Sequence, residues 1–289
     1  MPRKARNMPV RVDEVSNPAT LQEALLFLKR YPEAVPWAGG TLLMTDSAAW
    51  PEGRGTAILD VHRIPELSSI HRTERYIEVG AAYSLSSILA LPGSSILDPL
   101  TQAIGTIGNA AVRNLATLGG NIAARGRFMT SFPALSCLDA SVELRDSAGV
   151  RWHGIHKLVG PGNQPSFPRG TLLTRVRLPV AKWDSIAIKS IGEKSFPHPD
   201  ANAFCACARY DKGAISDIRI ATAGRVLVRD RELELTLAGK HLPLTRRELV
   251  TFATELAALA YALSASRNLA DRLEAYVTAF LARSPEYIS

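Results

Sequence analysis

Between Gly105 and Gly126 the chain reads GTIGNAAVRNLATLGGNIAARG, placing Thr117, Gly119, Gly120 and Asn121 within five residues of one another. Glycine pairs are poor helix-interior residues, and threonine and asparagine bond nearby backbone, so the spacing predicts a turn. Where side chains are absent, successive backbone N–H groups can converge on an anion, with hydroxyl and amide side chains completing the donor set. A pyrophosphate is the anion such a nest would suit, and a plain chain reversal is the alternative reading. A second stretch of the same kind, Gly39-Gly40-Thr41, follows the apolar run AVPWA. Two such loops are what gripping a dinucleotide-like cofactor from both sides requires, although the G-x-G-x-x-G fingerprint is absent.

The elements that position these loops can be read from periodicity. Leu21, Ala24, Leu25 and Leu28 recur at helical spacing behind Asn17-Pro18-Ala19-Thr20, and Pro32 ends that helix. Strands are expected at 57–61 and 77–80, a short helix capped by Ser84, and a helix over about 97–107 after Pro92-Gly93. Further on come a short helix, strands at 141–145 and from Val150, a Pro/Gly loop, and the alternating strand TLLTRVRLP. Near residue 181 the composition shifts. Strands at 185–190, 203–209 and 215–223, then helices at 245–263 and 269–282, predict a smaller α+β domain with a three-stranded antiparallel sheet.

Composition narrows the function classes. The 289 residues are 46% hydrophobic and 21% charged, enough for a substantial core. The longest apolar run, Phe252 to Leu263, is interrupted by Thr254 and Glu255 and falls short of the roughly 20 residues of a membrane span. The basic N-terminus lacks the apolar stretch of a signal peptide, so a cytoplasmic protein is expected. The net charge of +7 is spread along the chain without the basic stripe and interleaved aromatics of a nucleic-acid binder; an anionic ligand or an acidic partner suits it equally. Cys137, Cys205 and Cys207 cannot make a disulfide framework, and Cys205-Ala-Cys207 puts two thiols on one face of a strand. Without a second cysteine pair or clustered histidines, they read as buried packing residues rather than as iron–sulfur or zinc ligands.

Four blocks carry a resemblance over nearly the whole chain: AGGT at 38–41, IPEL and GAAYSL within 64–85, VRNLATLGGNIA at 112–123, and TLLTRVRLP at 171–179. ELTLAGK and SASRNLADRLEAYV near the end add to it. On these residues the chain resembles the FAD-binding subunit of the molybdenum hydroxylases, the family of xanthine dehydrogenase and aerobic carbon monoxide dehydrogenase.

The resemblance implies an α+β fold of the PCMH/VAO-like type. Residues 1–180 would form two α/β subdomains, about 1–62 and 63–180, that clasp FAD, with 181–289 as the C-terminal domain. It also implies the cofactor contacts. The first loop would supply Pro36, Trp37, Ala38, Gly39, Gly40, Thr41, Leu42 and Leu43, and the second Thr117, Leu118, Gly119, Gly120 and Asn121. Ile107 and Leu173 would pack on the cofactor, and Lys189 would stand near the flavin ring, where a positive charge favours the reduced, anionic flavin.

Four positions depart from the family pattern: Leu42 replaces an acidic residue, and Thr130 occupies the place of a cofactor-contacting aspartate. Arg125 and Arg127 replace small residues beside it and read either as phosphate contacts or as exposed loop arginines. His153 and His156 read as strand-edge residues, because the family holds FAD noncovalently. The implied role is electron transfer from an iron–sulfur subunit through FAD to NAD⁺, quinone or oxygen, beside a molybdenum-cofactor subunit. No residue of this chain is assigned as catalytic or as a metal ligand. A scaffold of the same fold without turnover and a stand-alone NADH-dependent flavin reductase are the alternatives.

Overall fold

The structure, a computed structural model, describes residues 11–45, 50, 56–92, 94–124, 127–191, 201–263 and 266–282. Arg125 and the basic N-terminal tail lie outside the described residues. The chain opens with strand β1 (Val12–Ser16), helix α1 (Leu21–Arg30), and strands β2 (Val35–Trp37) and β3 (Thr56–Asp60), which form a parallel sheet in the order β1-β3-β2. Thr20 caps α1 by accepting from the Glu23 amide, while the Glu23 carboxylate accepts from the Ala19 amide. Leu21, Ala24 and Leu28 bury the inner face of α1 with Leu59 of β3. This small sheet exists to launch the loop that follows β2.

The next stretch contributes β4 (Ile70–Arg72), β5 (Tyr76–Gly80), and the helices α2 (Leu85–Leu89), α3 (Asp98–Gly105), α4 (Ala110–Leu115), α5 (Leu118–Ile122) and α6 (Phe132–Cys137). Strands β6 (Ser141–Asp146), β7 (Gly149–Gly154), β8 (Val159–Gly160), β9 (Gln164–Pro165) and β10 (Leu172–Pro179) complete it. The main sheet runs β4-β5-β10-β6-β7, antiparallel throughout, so β10 occupies its centre between strands about sixty residues apart in the chain. Leu172, Leu173, Thr174, Val176 and Leu178 are buried accordingly. All five helices arise between β5 and β6. Their residues Leu85, Leu100, Ile104, Leu118 and Phe132 share one core with Val79, Val142 and Val176 of the sheet.

Strands β11 (Ser185–Ile191), β12 (Asn202–Asp211), β13 (Ala214–Ala223) and β14 (Leu227–Val228) form an antiparallel sheet, followed by α7 (Arg231–Leu235), α8 (Arg246–Ala262) and α9 (Arg267–Leu281). The expected three strands are thus joined by a fourth: the chain turns after Ala223 and pairs Leu227 and Val228 back on β13, a segment too short for periodicity to reveal. Phe252, Leu256, Leu273, Val277 and Phe280 of α8 and α9 share a core with Phe204, Ala206 and Ile218 of the sheet.

At the start of α8, Thr245 and Glu248 form a reciprocal capping box, and Lys240 donates to the Glu248 carboxylate at 2.6 Å. The Lys240 bond, then those from the Thr245 hydroxyl and amide, hold the Glu248 carboxyl down at about 2. A depressed carboxylate stabilises the fold above its unfolded pKa and loses that contribution as pH falls through the folded value. Replacing Glu248→Gln keeps the cap and removes the charge. The native chain should exceed the variant in urea midpoint at pH 7, with the gap closing between about pH 5 and pH 2.

Candidate functional site

A cavity of about 600 Å³ opens between the loop after β2, the 116–124 segment and the start of β10. That volume lies in the range of small-molecule and cofactor sites, about 300–1,000 Å³. Among the described residues its walls carry two charged ones, Glu33 and Arg169, which pair with each other at 3.0 Å and are both exposed. Any further polarity must come from hydroxyl and amide side chains and from the backbone.

The first loop supplies it. The Trp37 carbonyl accepts from the Val61 amide, ending the β2–β3 pairing, and the chain then passes through Gly39 and Gly40. The carbonyls of Gly40, Thr41, Leu42 and Leu43 are all used internally, by the Met44 amide, the Thr45 hydroxyl and amide, and the Trp50 indole. The amides of Gly39, Gly40, Thr41, Leu42 and Leu43, by contrast, have no acceptor among the described residues, and all five residues line the cavity. These residues are half-buried on the cavity wall, and successive backbone amides of this kind suit an acceptor-rich, anionic ligand.

Both glycines are required by geometry. A β-carbon on Gly39 would lie 1.8 Å from the Leu115 carbonyl oxygen at the end of α4. Gly40 adopts φ +65°, and its added β-carbon would meet the Trp37 ring at 2.4 Å. Trp37 is therefore a brace under the loop, with its ring 6.1 Å from that of Trp50, and it does not line the cavity.

The second glycine pair differs from the sequence expectation. The 118–122 segment is the short helix α5, with Thr117 as N-cap: its hydroxyl accepts from the Gly120 amide at 3.1 Å. The remaining amides are also engaged, Leu118 to the Tyr83 carbonyl, Gly119 to Ala81 at 2.8 Å, and Asn121 to Thr117. A cap and two inter-segment bonds offset the poor helix propensity of two glycines, so the expected backbone nest is absent here. Glycine at 119 serves close approach instead, since an added β-carbon would lie 2.6 Å from that of Ala81. What this segment shows the cavity is the Thr117 hydroxyl, with its hydrogen still to donate, and Asn121, whose carboxamide oxygen is fixed by the Ser131 hydroxyl at 2.5 Å.

The other expected residues divide. Pro36, Ala38 and Leu173 line the cavity, and Met129 does so in place of its neighbour Thr130. Leu118 is wholly buried in the core, and Ile107 packs against that core while its carbonyl accepts from Arg113 at 2.9 Å. Arg113 thereby ties the turn between α3 and α4 rather than reaching a ligand. Lys189 is exposed on β11, opposite Phe204 of β12 and outside the cavity wall. Arg127 donates to the Ala201 carbonyl at 3.1 Å, joining the loop to the start of β12. Sequence reasoning gave no role to Ala81, Ala82 and Phe167, which also form the wall. The signals were the GAAYSL block and the proline-rich run before β10.

A cavity with a row of backbone amides lacking acceptors among the described residues, between a parallel and an antiparallel sheet, suits an elongated anionic cofactor. Residues 10–181 match the family described as the FAD binding domain in molybdopterin dehydrogenase, and the chain belongs to that family. It is 30% identical over 227 residues to aldehyde oxidase 2 of Cavia porcellus, covering 72% of this chain and 17% of that protein. It is 27% identical to the xanthine dehydrogenase FAD-binding subunit of Escherichia coli O157:H7, covering 81% of this chain and 82% of the relative. The chain spans less than half the length of the first relatives it matches. Its fold superposes on quinoline 2-oxidoreductase from Pseudomonas putida 86 with a TM-score of 0.79 and 20% identity, over 97% of this chain and 99% of that one. FAD is the cofactor of this oxidoreductase family, and the residues present fit it: unpaired amides for phosphate oxygens, glycines that keep the wall open, and apolar Leu173 and Phe167. None of the described helices is long and apolar enough to cross a membrane.

Proposed function

We propose that the chain is the electron-transferring FAD subunit of a molybdenum-hydroxylase-type oxidoreductase, with residues 1–180 as its FAD-binding part and 181–289 as a separate C-terminal domain. The observation that carries this reading is the row of five amides from Gly39 to Leu43 with no acceptor among the described residues, on a cavity that Thr117 and Asn121 also line. The amides bind the pyrophosphate, Thr117 donates its hydroxyl hydrogen to it, and Leu173 packs on the cofactor. When bound, the flavin supplies the conversion between one-electron and two-electron transfer, and the protein supplies binding and orientation. Electrons arrive from an iron–sulfur subunit served by a molybdenum subunit, and leave to NAD⁺, quinone or oxygen. Leu42 weighs little against this, because its contribution is an N–H that any residue but proline provides.

The purified chain should show the oxidised-flavin absorption bands, or regain them on adding FAD. A colourless chain that takes up no FAD refutes the binding assignment and leaves the scaffold reading. Bleaching of the bound flavin by NADH in the isolated chain would favour the stand-alone reductase. Replacing Thr117→Val removes both the α5 cap and the donor. FAD affinity should fall about tenfold, near 1.4 kcal/mol, read by flavin fluorescence titration of the apoprotein.

A further inference from the structure

Three cysteines converge at a point the flavin site does not use. Cys137 ends α6, while Cys205 and Cys207 share a face of β12, and the three Sγ atoms lie within 4.8 Å of one another. Cys205 and Cys207 are 3.7 Å apart, and all three side chains are buried. The sequence puts Cys205 and Cys207 on one strand face and reads the cysteines as packing residues; the fold brings Cys137, 68 residues before Cys205, up to them.

We propose that Cys137, Cys205 and Cys207 form a binding site for a single copper(I) ion. A metal–sulfur bond of about 2.3 Å places three trigonal sulfurs about 4 Å apart, close to the spacing found here. Thiolate sulfur selects soft ions: copper(I), zinc and iron–sulfur clusters. Structural zinc takes four ligands and iron–sulfur clusters take four cysteines, whereas no fourth His, Cys, Asp or Glu joins this group among the described residues. Three sulfurs without a fourth ligand suit copper(I), which is stable in trigonal coordination.

The surroundings are apolar, with Ala103, Ala134 and Ala221 buried beside the thiols and Trp183 and Ile188 packed against them, which would keep water from the ion. Binding releases the three thiol protons to solvent, leaves copper in the +1 state, and gives a complex of net charge −2. Buried charge requires neighbours of opposite sign. Arg219 donates to the Cys137 carbonyl at 2.8 Å and Arg229 to the Ser136 carbonyl, which brings two guanidinium groups to the end of α6. Both are already paired with Asp139, Asp217 and Glu234, so they oppose the complex's charge by their position near Cys137 and not by a surplus of positive charge. The ion would join α6 of the flavin-binding part to β12 of the C-terminal sheet.

The full chain should be purified anaerobically from copper-supplemented cells and challenged with a copper(I)-selective chelator. The proposal expects one copper per chain by elemental analysis, an ultraviolet thiolate-to-copper band, and at least tenfold less copper retained in Cys205→Ala and Cys207→Ala. Flavin content and far-UV circular dichroism of both variants should match the native chain; if one fails to fold, the other decides. Native chain that loses its copper as readily as the variants overturns the site, as does copper retained equally in both. One zinc in place of copper, or a single free thiol in the denatured chain, which signals a disulfide, overturns it too.

Discussion

Gly39→Ala should yield a colourless protein. Its new β-carbon would stand 1.8 Å from the Leu115 oxygen and 2.5 Å from the carbonyl carbon, both backbone atoms of α4 with no rotamer to move. Either the loop retreats from α4, or the turn between α4 and α5 shifts, and both surfaces are cavity walls. Overpacking of this kind costs about 1–3 kcal/mol or more, and here the displaced atoms carry the anion donors. FAD affinity should drop about a hundredfold, measured by fluorescence titration, with far-UV circular dichroism little changed. Gly119→Ala should behave similarly, because the added carbon meets Ala81 at 2.6 Å and its carbonyl oxygen at 2.7 Å. Gly105→Ala is the control: its β-carbon meets nothing within 4 Å, the site is helical, and flavin binding should be unchanged. Wild-type affinity in Gly39→Ala would remove the first loop from the binding site.

The second large effect belongs to Arg229. Its side chain is almost wholly buried, donating to Glu234 at 3.0 and 3.1 Å, to Asp139 at 2.8 Å, and to the Ser136 carbonyl. Burial opposes its charge, yet the hydrogen bonds and charge of Glu234, with that of Asp139, push its pKa above the ordinary arginine value. Burial likewise pushes the Glu234 carboxyl up against the pull of Arg229. Removing one partner of such a pair leaves the other buried and uncompensated, at a cost of about 3–5 kcal/mol. Arg229→Met should therefore lower the urea unfolding free energy by that amount. Adding Glu234→Gln should recover about 2 kcal/mol of it, because the amide oxygen still accepts from the Ile220 amide while the unpaired charge is gone. A loss below about 1 kcal/mol in the single variant would mean the ion pair is already solvated.

Much of this fold was legible because its signals are local. Thr20 with Pro32, Thr245 with Leu263, and the alternation of TLLTRVRLP each mark an element by residues a few positions apart. The failures share a cause in long-range contacts. Gly119 and Gly120 read as a turn until Ala81 and Tyr83, more than thirty residues earlier, took up the amides of Gly119 and Leu118. Strand β14 exists only because β13 offers an edge to it. Thr130 and Lys189 follow from the family resemblance alone, and they stand beside Met129 and on β11, outside the lining of this cavity. The donor row at 39–43 was half visible: glycines announce that the backbone is exposed, but only the folded loop shows that, among the described residues, its carbonyls are engaged and its amides are not.

That division of labour in the first loop separates the proposed anion grip from the chemistry of the side chains around it. Amide donors do not titrate in the physiological range, and the wall's two charged residues, Glu33 and Arg169, pair with each other at the exposed rim. Under the proposed reading the grip on an anion is written in main-chain conformation, so it should not depend on the side chains at 42 and 43. Gly39 and Gly40 set the shape of the loop that presents those amides.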